Sequence, residues 1–312
     1  MENTVKVYLD FQIFDYCSKN PELRARLTNI PNHKFYCSTA HLEEVFRSEK
    51  NADTPEKREK AENRKRCIDE VCCRGVLNPT YNGTSPIELR PESRENCLKR
   101  IRKYDTSESV FETAEKLKNS HKRSPSFSKE YNNAIKDTRS IKSMQSNIWE
   151  IIWKENDILQ EIDIKNQNTT NLSYLLEIAN PLYKKLKKSY GEEEAKYHFL
   201  KCIISLRQKV YRGCYDEILK SNNSYDRLEN VVEFLARTLD NCGYQRDSNV
   251  QKIYSGEHDI SHMIYGSYCD LFVTNDVRLF YRVKAIYYYM GIPTKVISWL
   301  DWQKHMNETT NL

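Results

Sequence analysis

Short apolar runs bounded by polar residues open and close this chain, and long amphipathic stretches fill its middle. Val5 to Leu9 is a β-rich run that ends at Asp10, and Lys34 to Cys37 is a second. Between them Asp15 to Leu27 reads as helix, divided by Pro21, whose ring and missing N–H interrupt a helix interior. Ser38 or Thr39 then caps a helix that runs through Glu44 to about Arg47. This βαβα order predicts a parallel sheet. Near the other end a helix beginning close to Asp259 carries Ile260, Met263 and Ile264 at helical spacing. Leu271, Phe272 and Val273, bounded by Asp270 and Asn275, fit a strand buried on both faces. Leu279, Val283, Ile286 and Met290 share one face of a further helix, and Gly291-Ile292-Pro293 ends it. Lys295 to Ser298 reads as the last strand, and the polar tail from Asn307 is expected to fray.

The middle of the chain differs in character. Residues 48–66 are charge-dense and have two readings: a solvated helix laced with local ion pairs, or a basic face for a nucleic-acid backbone. Residues 74–96 hold Gly75, Pro79, Gly83, Pro86 and Pro91 and read as loop. Helical periodicity returns at 94–119, an exposed basic segment follows at His121-Lys122-Arg123, and long helices are expected at about 128–166, 170–188, 192–220 and 225–241. The organisation expected is an α/β core with a parallel sheet, from residues 1–48 and 250–306, and a large all-α insertion over 49–249.

Composition narrows the class. Mean hydropathy is −0.78, polar for a folded chain of 312 residues, yet aromatic residues make up 11% and include 21 Tyr. A disordered chain would be aromatic-poor, so the chain reads as folded with a wide solvated surface. The net charge of +5 permits a nucleic-acid partner without requiring one. No apolar run reaches the length of a membrane span, and polar Met1-Glu2-Asn3-Thr4 leads straight into a strand. With 10 cysteines, a cytoplasmic protein with reduced thiols and no membrane association is expected. Cys67, Cys72, Cys73 and Cys97 raise the question of zinc, but no Cys-x-x-Cys pair is present and packing roles are favoured.

The candidate chemistry is acidic. Asp10 and Asp276 each follow a strand, and in open α/β sheets ligands bind at the carboxyl ends of parallel strands. Asp259, on a neighbouring helix, can lean over the same edge. Clustered carboxylates repel unless a cation lies between them, and Mg²⁺ or Mn²⁺ suits an all-oxygen donor set.

These residues resemble the PIN-domain nucleases, including PIN-like toxin and phage-defence nucleases of bacteria. That family's first acidic position matches Asp10 in Val7-Tyr8-Leu9-Asp10. Its second, on the helix after the second strand, matches Glu44, with Glu43 beside it a close alternative. An Asp-x-x-His pattern matches Asp259 and His262, and a Thr-x-Asp pattern matches Thr274-Asn275-Asp276. The gap from Glu44 to Asp259 is longer than a compact member of the family would have.

The resemblance implies that Asp10, Glu44, Asp259 and Asp276 hold Mg²⁺ or Mn²⁺ and that the chain cuts phosphodiester bonds, with RNA favoured over DNA. It further implies an endoribonuclease acting as a bacterial toxin or antiphage effector. The rivals are a DNA or flap-type nuclease, and an inactive scaffold that binds a regulatory protein through the helical insertion. Each acid also has a plainer reading. Asp10 and Asp276 can be turn or cap residues, Glu44 a solvated helix residue, and Asp259 a helix-start charge favoured by the dipole. His262 can orient a carboxylate or be structural; Thr274 and Asn275 can hydrogen-bond the carboxylates; Asp270 can support them from behind. Arg278, Arg282 and Lys284, with Lys57, Arg58, Arg64, Lys65 and Arg66, are the candidate phosphate contacts, or else solvated helix faces.

Overall fold

The computed structural model describes residues 4–80, 85–103, 213–241 and 253–310, with residues 83 and 245 and a few positions between 183 and 195. Among the described residues six strands form two sheets: β1 (Val5–Leu9), β2 (His33–Tyr36), β3 (Val76–Pro79), β4 (Ile87–Arg90), β5 (Leu271–Thr274) and β6 (Lys295–Ser298). The main sheet has the order β2-β1-β5-β6 and is parallel throughout. Val7 pairs with Phe35 on one side and Leu271 on the other, and Leu9 pairs with Val273. Helices flank the sheet, as the alternation of short apolar strands with amphipathic stretches implies.

Side chains alternate across β1 with period two. Val7 and Leu9 face one core with Phe14, Cys17, Ile68, Val273 and Trp302. Tyr8 faces the other with Leu228, Met263, Phe272 and Ile286. The first core is closed by α1 (Phe11–Lys19), α2 (Pro21–Asn29), α3 (Thr39–Lys50), α4 (Pro55–Val71) and α5 (Arg94–Lys103). The second is closed by α6 (Tyr215–Leu219), α7 (Ser224–Asn241), α8 (Ile253–Gly266) and α9 (Val277–Met290). The terminal helix α10 (Trp299–Thr310) returns to the first core.

Several boundaries differ from the sequence reading. The first helix begins at Phe11, directly after β1, and Pro21 sits in the first turn of α2, where the side chain of Asn20 accepts from the Leu23 N–H at 3.0 Å. The tail is helical to Thr310 because Trp302 and Met306 are buried, with the Trp302 ring edge-on to Phe35 at 6.2 Å. Residues 76–90 contain the antiparallel pair β3 and β4 where loop is expected. The overlooked signal is the pair of short apolar runs, Val76-Leu77 and Ile87-Glu88-Leu89, on either side of a Gly- and Pro-containing connection. Helix α8 starts at Ile253, so Asp259 lies inside the helix and its first-turn dipole does not account for it.

Residues 55–103, expected within the insertion, share the core of the sheet. Cys67, Ile68, Val76, Cys97 and Leu98 pack with Val7 and Leu9. The backbone N–H groups of Cys73 and Leu77 donate to the carbonyls of Phe35 and Cys37, both at 2.8 Å, and so extend the sheet past β2. Burial pushes the thiols of Cys37 up to about 12 and of Cys97 to about 11, which makes them packing groups and poor nucleophiles. The helix expected at 128–166, most of those expected at 170–188 and 192–220, and the segment His121 to Arg123 lie outside the described residues. Among the described residues no helix is long and apolar enough to cross a membrane.

Gly266 ends α8 where β5 passes beneath it. A Cβ there would lie 2.2 Å from Cδ2 of Phe272 and 3.0 Å from the Tyr287 hydroxyl. Both rings are buried and cannot swing away. Gly266→Ala is therefore expected to destabilise by about 2 kcal/mol, read as a lowered midpoint in urea unfolding; an unchanged midpoint would mean that the packing here relaxes freely.

Candidate active site at the carboxyl end of the sheet

The chain leaves β1 toward β2 on one side, whereas β5 leads to β6 on the other. The crevice between the ends of β1 and β5 is thus the switch point of the sheet, where such folds bind ligands. Asp10 ends β1, is 4% exposed, and donates its N–H to the carbonyl of Val273 at 2.9 Å. Thr274 closes β5. Its hydroxyl donates to Asp10 Oδ2 at 2.9 Å and accepts from the Asp276 N–H at 3.0 Å, so one buried side chain ties the two acidic strand ends together. Asp276 caps α9, its Oδ1 accepting from the N–H groups of Arg278 at 2.7 Å and Leu279 at 3.1 Å. The cap role read for this residue is real, and it leaves Asp276 beside Asp10.

Helices α3 and α8 supply the remaining acids. Glu44 accepts from His262 Nε2 at 3.1 Å, and Arg47 approaches it at 3.8 Å. Burial raises the carboxyl of Asp10 to about 6; His262 opposes the rise, and the charges of Glu44 and Asp276 add to it. Burial raises Asp259 to about 8 against the pull of Arg282, with Asp10 and Asp276 adding to the rise. Burial disfavours the charged form of His262, but its hydrogen bond to Glu44 and the charges of Glu44, Asp10 and Asp259 outweigh this and raise its pKa. Asp10 therefore feels Glu44 and Asp276 directly, Asp259 feels Asp10 and Asp276, and His262 joins Glu44 to the group. Glu43 is raised by burial, partly offset by His262, and stands near enough to Glu44 to feel its charge.

Asp10, buried, and Asp259, partly buried, both raised by desolvation and by the charge of neighbouring acids, Asp276 among them, form a set that a cation would relieve. Their donors are oxygens, which suits Mg²⁺ or Mn²⁺ over soft metals. Among the described residues no three His, Cys, Asp or Glu side chains converge tightly enough to hold one ion directly. An ion bound there would have to keep part of its water shell, the usual habit of Mg²⁺.

Other expected residues lie elsewhere. Asn275 donates to the Tyr16 hydroxyl at 3.0 Å and not to the carboxylates, because the turn after β5 points it toward α1. Asp270 sits at the amino end of β5, about 13 Å of strand from Thr274. There its Oδ2 accepts from the Lys6 N–H at 2.8 Å and fastens the start of β5 to β1. Arg282 is buried, donates to the carbonyl of Ala236 at 3.5 Å and acts on Asp259, so it faces inward and not toward a solvent-side phosphate. Lys284 lies 5.4 Å from the Phe280 ring centroid, and Arg278 contributes its backbone N–H to the Asp276 cap.

On α4 the basic side chains form ion pairs. Lys57 pairs with Asp53 at 2.7 Å, Lys65 with Glu95 at 3.0 Å, and Arg64 and Lys60 with Asp15 at 2.5 and 3.8 Å. Arg58 donates to the carbonyl of Ala52 at 3.2 Å, and Arg66 is exposed on the same helix. Arg64 also lies 5.6 Å from the ring of Phe11, the residue after Asp10.

Sequence reasoning gave Ser38 only its capping role, which it has on α3, and missed Tyr8 and His41; all three are buried behind Glu44 and His262. The signal was present: a tyrosine and a histidine in strongly apolar surroundings each need a polar partner. No family model, curated protein or solved structure matches this chain.

Proposed function

We propose that this chain is a metal-dependent nuclease, with Asp10, Glu44, Asp259 and Asp276 holding Mg²⁺ or Mn²⁺ at the switch point of the sheet. The observation that carries the reading is the collection of these acids from β1, α3, α8 and the β5–α9 turn around Asp10, whose carboxyl burial and neighbouring charge raise to about 6. A divalent ion held there supplies charge neutralisation at a scissile phosphate and Lewis acidity toward an attacking water. The chain's own residues do the positioning. Thr274 fixes the spacing of Asp10 and Asp276, and His262 holds Glu44. Resemblance to the PIN-domain nucleases favours RNA over DNA as substrate and a toxin or antiphage role.

The second reading, an inactive scaffold, is favoured by one feature: Asp276 caps a helix and Glu44 is bonded to His262, roles that need no ion. Labelled single-stranded RNA and DNA incubated with and without Mn²⁺ separate the two. Cleavage of RNA that depends on Mn²⁺ and stops with chelator is the expected result. Binding without cleavage of either polymer would favour the scaffold.

A further inference from the structure

Behind Glu44 runs a chain of hydrogen bonds that reaches across three elements. His262 Nε2 is 3.1 Å from Glu44, and its Nδ1 is 2.7 Å from the Tyr8 hydroxyl. That hydroxyl is also 2.7 Å from Ser38 Oγ, which is 3.1 Å from His41 Nδ1. His41 Nε2 ends the chain at the carbonyl of Leu9, 2.8 Å away, beside Asp10.

The direction of each bond follows from donor accounting. A carboxylate only accepts, so His262 carries a proton on Nε2. The Ser38 N–H only donates, and it meets His41 Nδ1 at 3.1 Å, so that nitrogen is an acceptor and the His41 proton sits on Nε2, facing the Leu9 carbonyl. Burial first, then the charge of His262, holds His41 neutral. Tyr8 and Ser38 are left as two rotatable hydroxyls between fixed ends. If His262 is neutral, Tyr8 donates to Nδ1 and Ser38 donates to Tyr8. If it is charged, Nδ1–H donates to Tyr8, Tyr8 to Ser38 and Ser38 to His41. The contacts from Glu44 through His262 and Tyr8 to Ser38 survive in both states, whereas the contact of Ser38 Oγ with His41 Nδ1 carries a proton only in the second.

We propose that Tyr8 is a positioning residue for Glu44, acting through His262 and anchored by Ser38 and His41. The proposal rests on the reading of the acidic crevice as a divalent-ion site. Without the Tyr8 hydroxyl, Nδ1 of His262 loses its buried partner, the imidazole is free to turn about its side-chain bonds, and the Glu44 carboxylate loses its fixed orientation. Partners that orient a ligand from behind are typically worth about 10 to 100-fold in metal affinity.

Tyr287 provides the control. It too is buried, and its hydroxyl donates to the carbonyl of Met263, next to His262 on α8, at 2.5 Å, without touching the chain of bonds to Glu44. Wild type, Tyr8→Phe and Tyr287→Phe are titrated with Mn²⁺, the free ion is followed by electron paramagnetic resonance, and thermal unfolding is recorded alongside. Both variants lose a buried hydroxyl and are expected to lose stability. Tyr8→Phe alone is expected to raise the Mn²⁺ Kd, by about 10-fold. In a His262→Ala background the Tyr8 change is expected to add nothing, as coupling through His262 requires. Ser38→Ala, one link further along, is expected to shift Kd in the same direction by a smaller factor, and it decides the matter if Tyr8→Phe does not fold. Equal Kd values for Tyr8→Phe and wild type, or an equal shift in Tyr287→Phe, would overturn the positioning role while leaving the ion site intact. Absence of Mn²⁺ binding by wild type would overturn the ion site and this proposal with it.

Discussion

Asp10→Asn is expected to abolish Mn²⁺-dependent cleavage, by roughly a thousandfold or more, while leaving the metal-free protein more stable than wild type. The activity loss follows from position. Asp10 is the residue on which the charges of Glu44, Asp276 and His262 all act, and losing one group that stabilises developing charge in a buried site costs on this scale. The stability gain follows from burial. At neutral pH the Asp10 carboxylate is held charged although its surroundings raise its pKa to about 6, a penalty of up to roughly 3 kcal/mol. An amide of the same shape removes that penalty, and its oxygen still accepts from the Thr274 hydroxyl. Asp276→Asn is expected to behave likewise in the cleavage assay while preserving α9, because asparagine caps a helix about as well as aspartate. Asp276→Ala should lose about 1 kcal/mol with the cap. Cleavage of labelled RNA and urea unfolding in chelator measure the two quantities separately. Variants that stay folded and cut at the wild-type rate would remove Asp10 and Asp276 from the site.

The sheet was legible because its strands are short, apolar and bounded by punctuating polar residues, and β6 falls at Lys295–Ser298, where the pattern puts it. The crevice was legible for a related reason: an acid directly after a buried strand has one place to go. What the pattern could not carry was the use of each side chain once there. Asn275 and Thr274 are neighbours of similar polarity, yet strand alternation turns Thr274 toward Asp10 and sends Asn275 to Tyr16. Asp270 and Asp276 both flank β5, but a parallel strand has two distinct ends, and Asp270 marks the one away from the crevice. Arg282 looked like a phosphate contact on a helix after the last acid, and its place on the buried face of α9 makes it a counter-charge to Asp259. The chain of bonds from Glu44 to Leu9 spans residues far apart in sequence, so no local pattern could announce it.

The stability of the metal-free protein is expected to fall as pH rises from about 6.5 to 7.5, and a divalent ion is expected to cancel the fall. Burial raises Asp259 to about 8, whereas the same carboxyl in the unfolded chain titrates near its ordinary value of 3.8. Between those values the folded state binds the extra proton, so stability drops with pH by about 1 kcal/mol per unit. Asp10, raised to about 6, adds to the drop only at lower pH. His41, lowered by burial, and His258, lowered to about 4, work in the opposite sense below the ordinary histidine range. That leaves the window above about 6.5 to Asp259 and to His262, whose raised pKa likewise withdraws stability as pH climbs. Buried thiols add a slope of the same sign as the pH nears the ordinary cysteine range, so Asp259→Asn is the necessary comparison: it should make the curve shallower in this window and leave the His262 and thiol contributions in place. Ion binding requires the deprotonated carboxylates, so its stabilising effect should grow over the same interval and reach about 3 kcal/mol at a hundredfold excess over Kd. Urea unfolding at pH 6.5 and 7.5, in chelator and in Mn²⁺, measures all of this. A metal-free curve that is flat in wild type, or no gain from Mn²⁺ at pH 7.5, would show that these carboxylates are settled by the protein alone and that the crevice is not built around a cation.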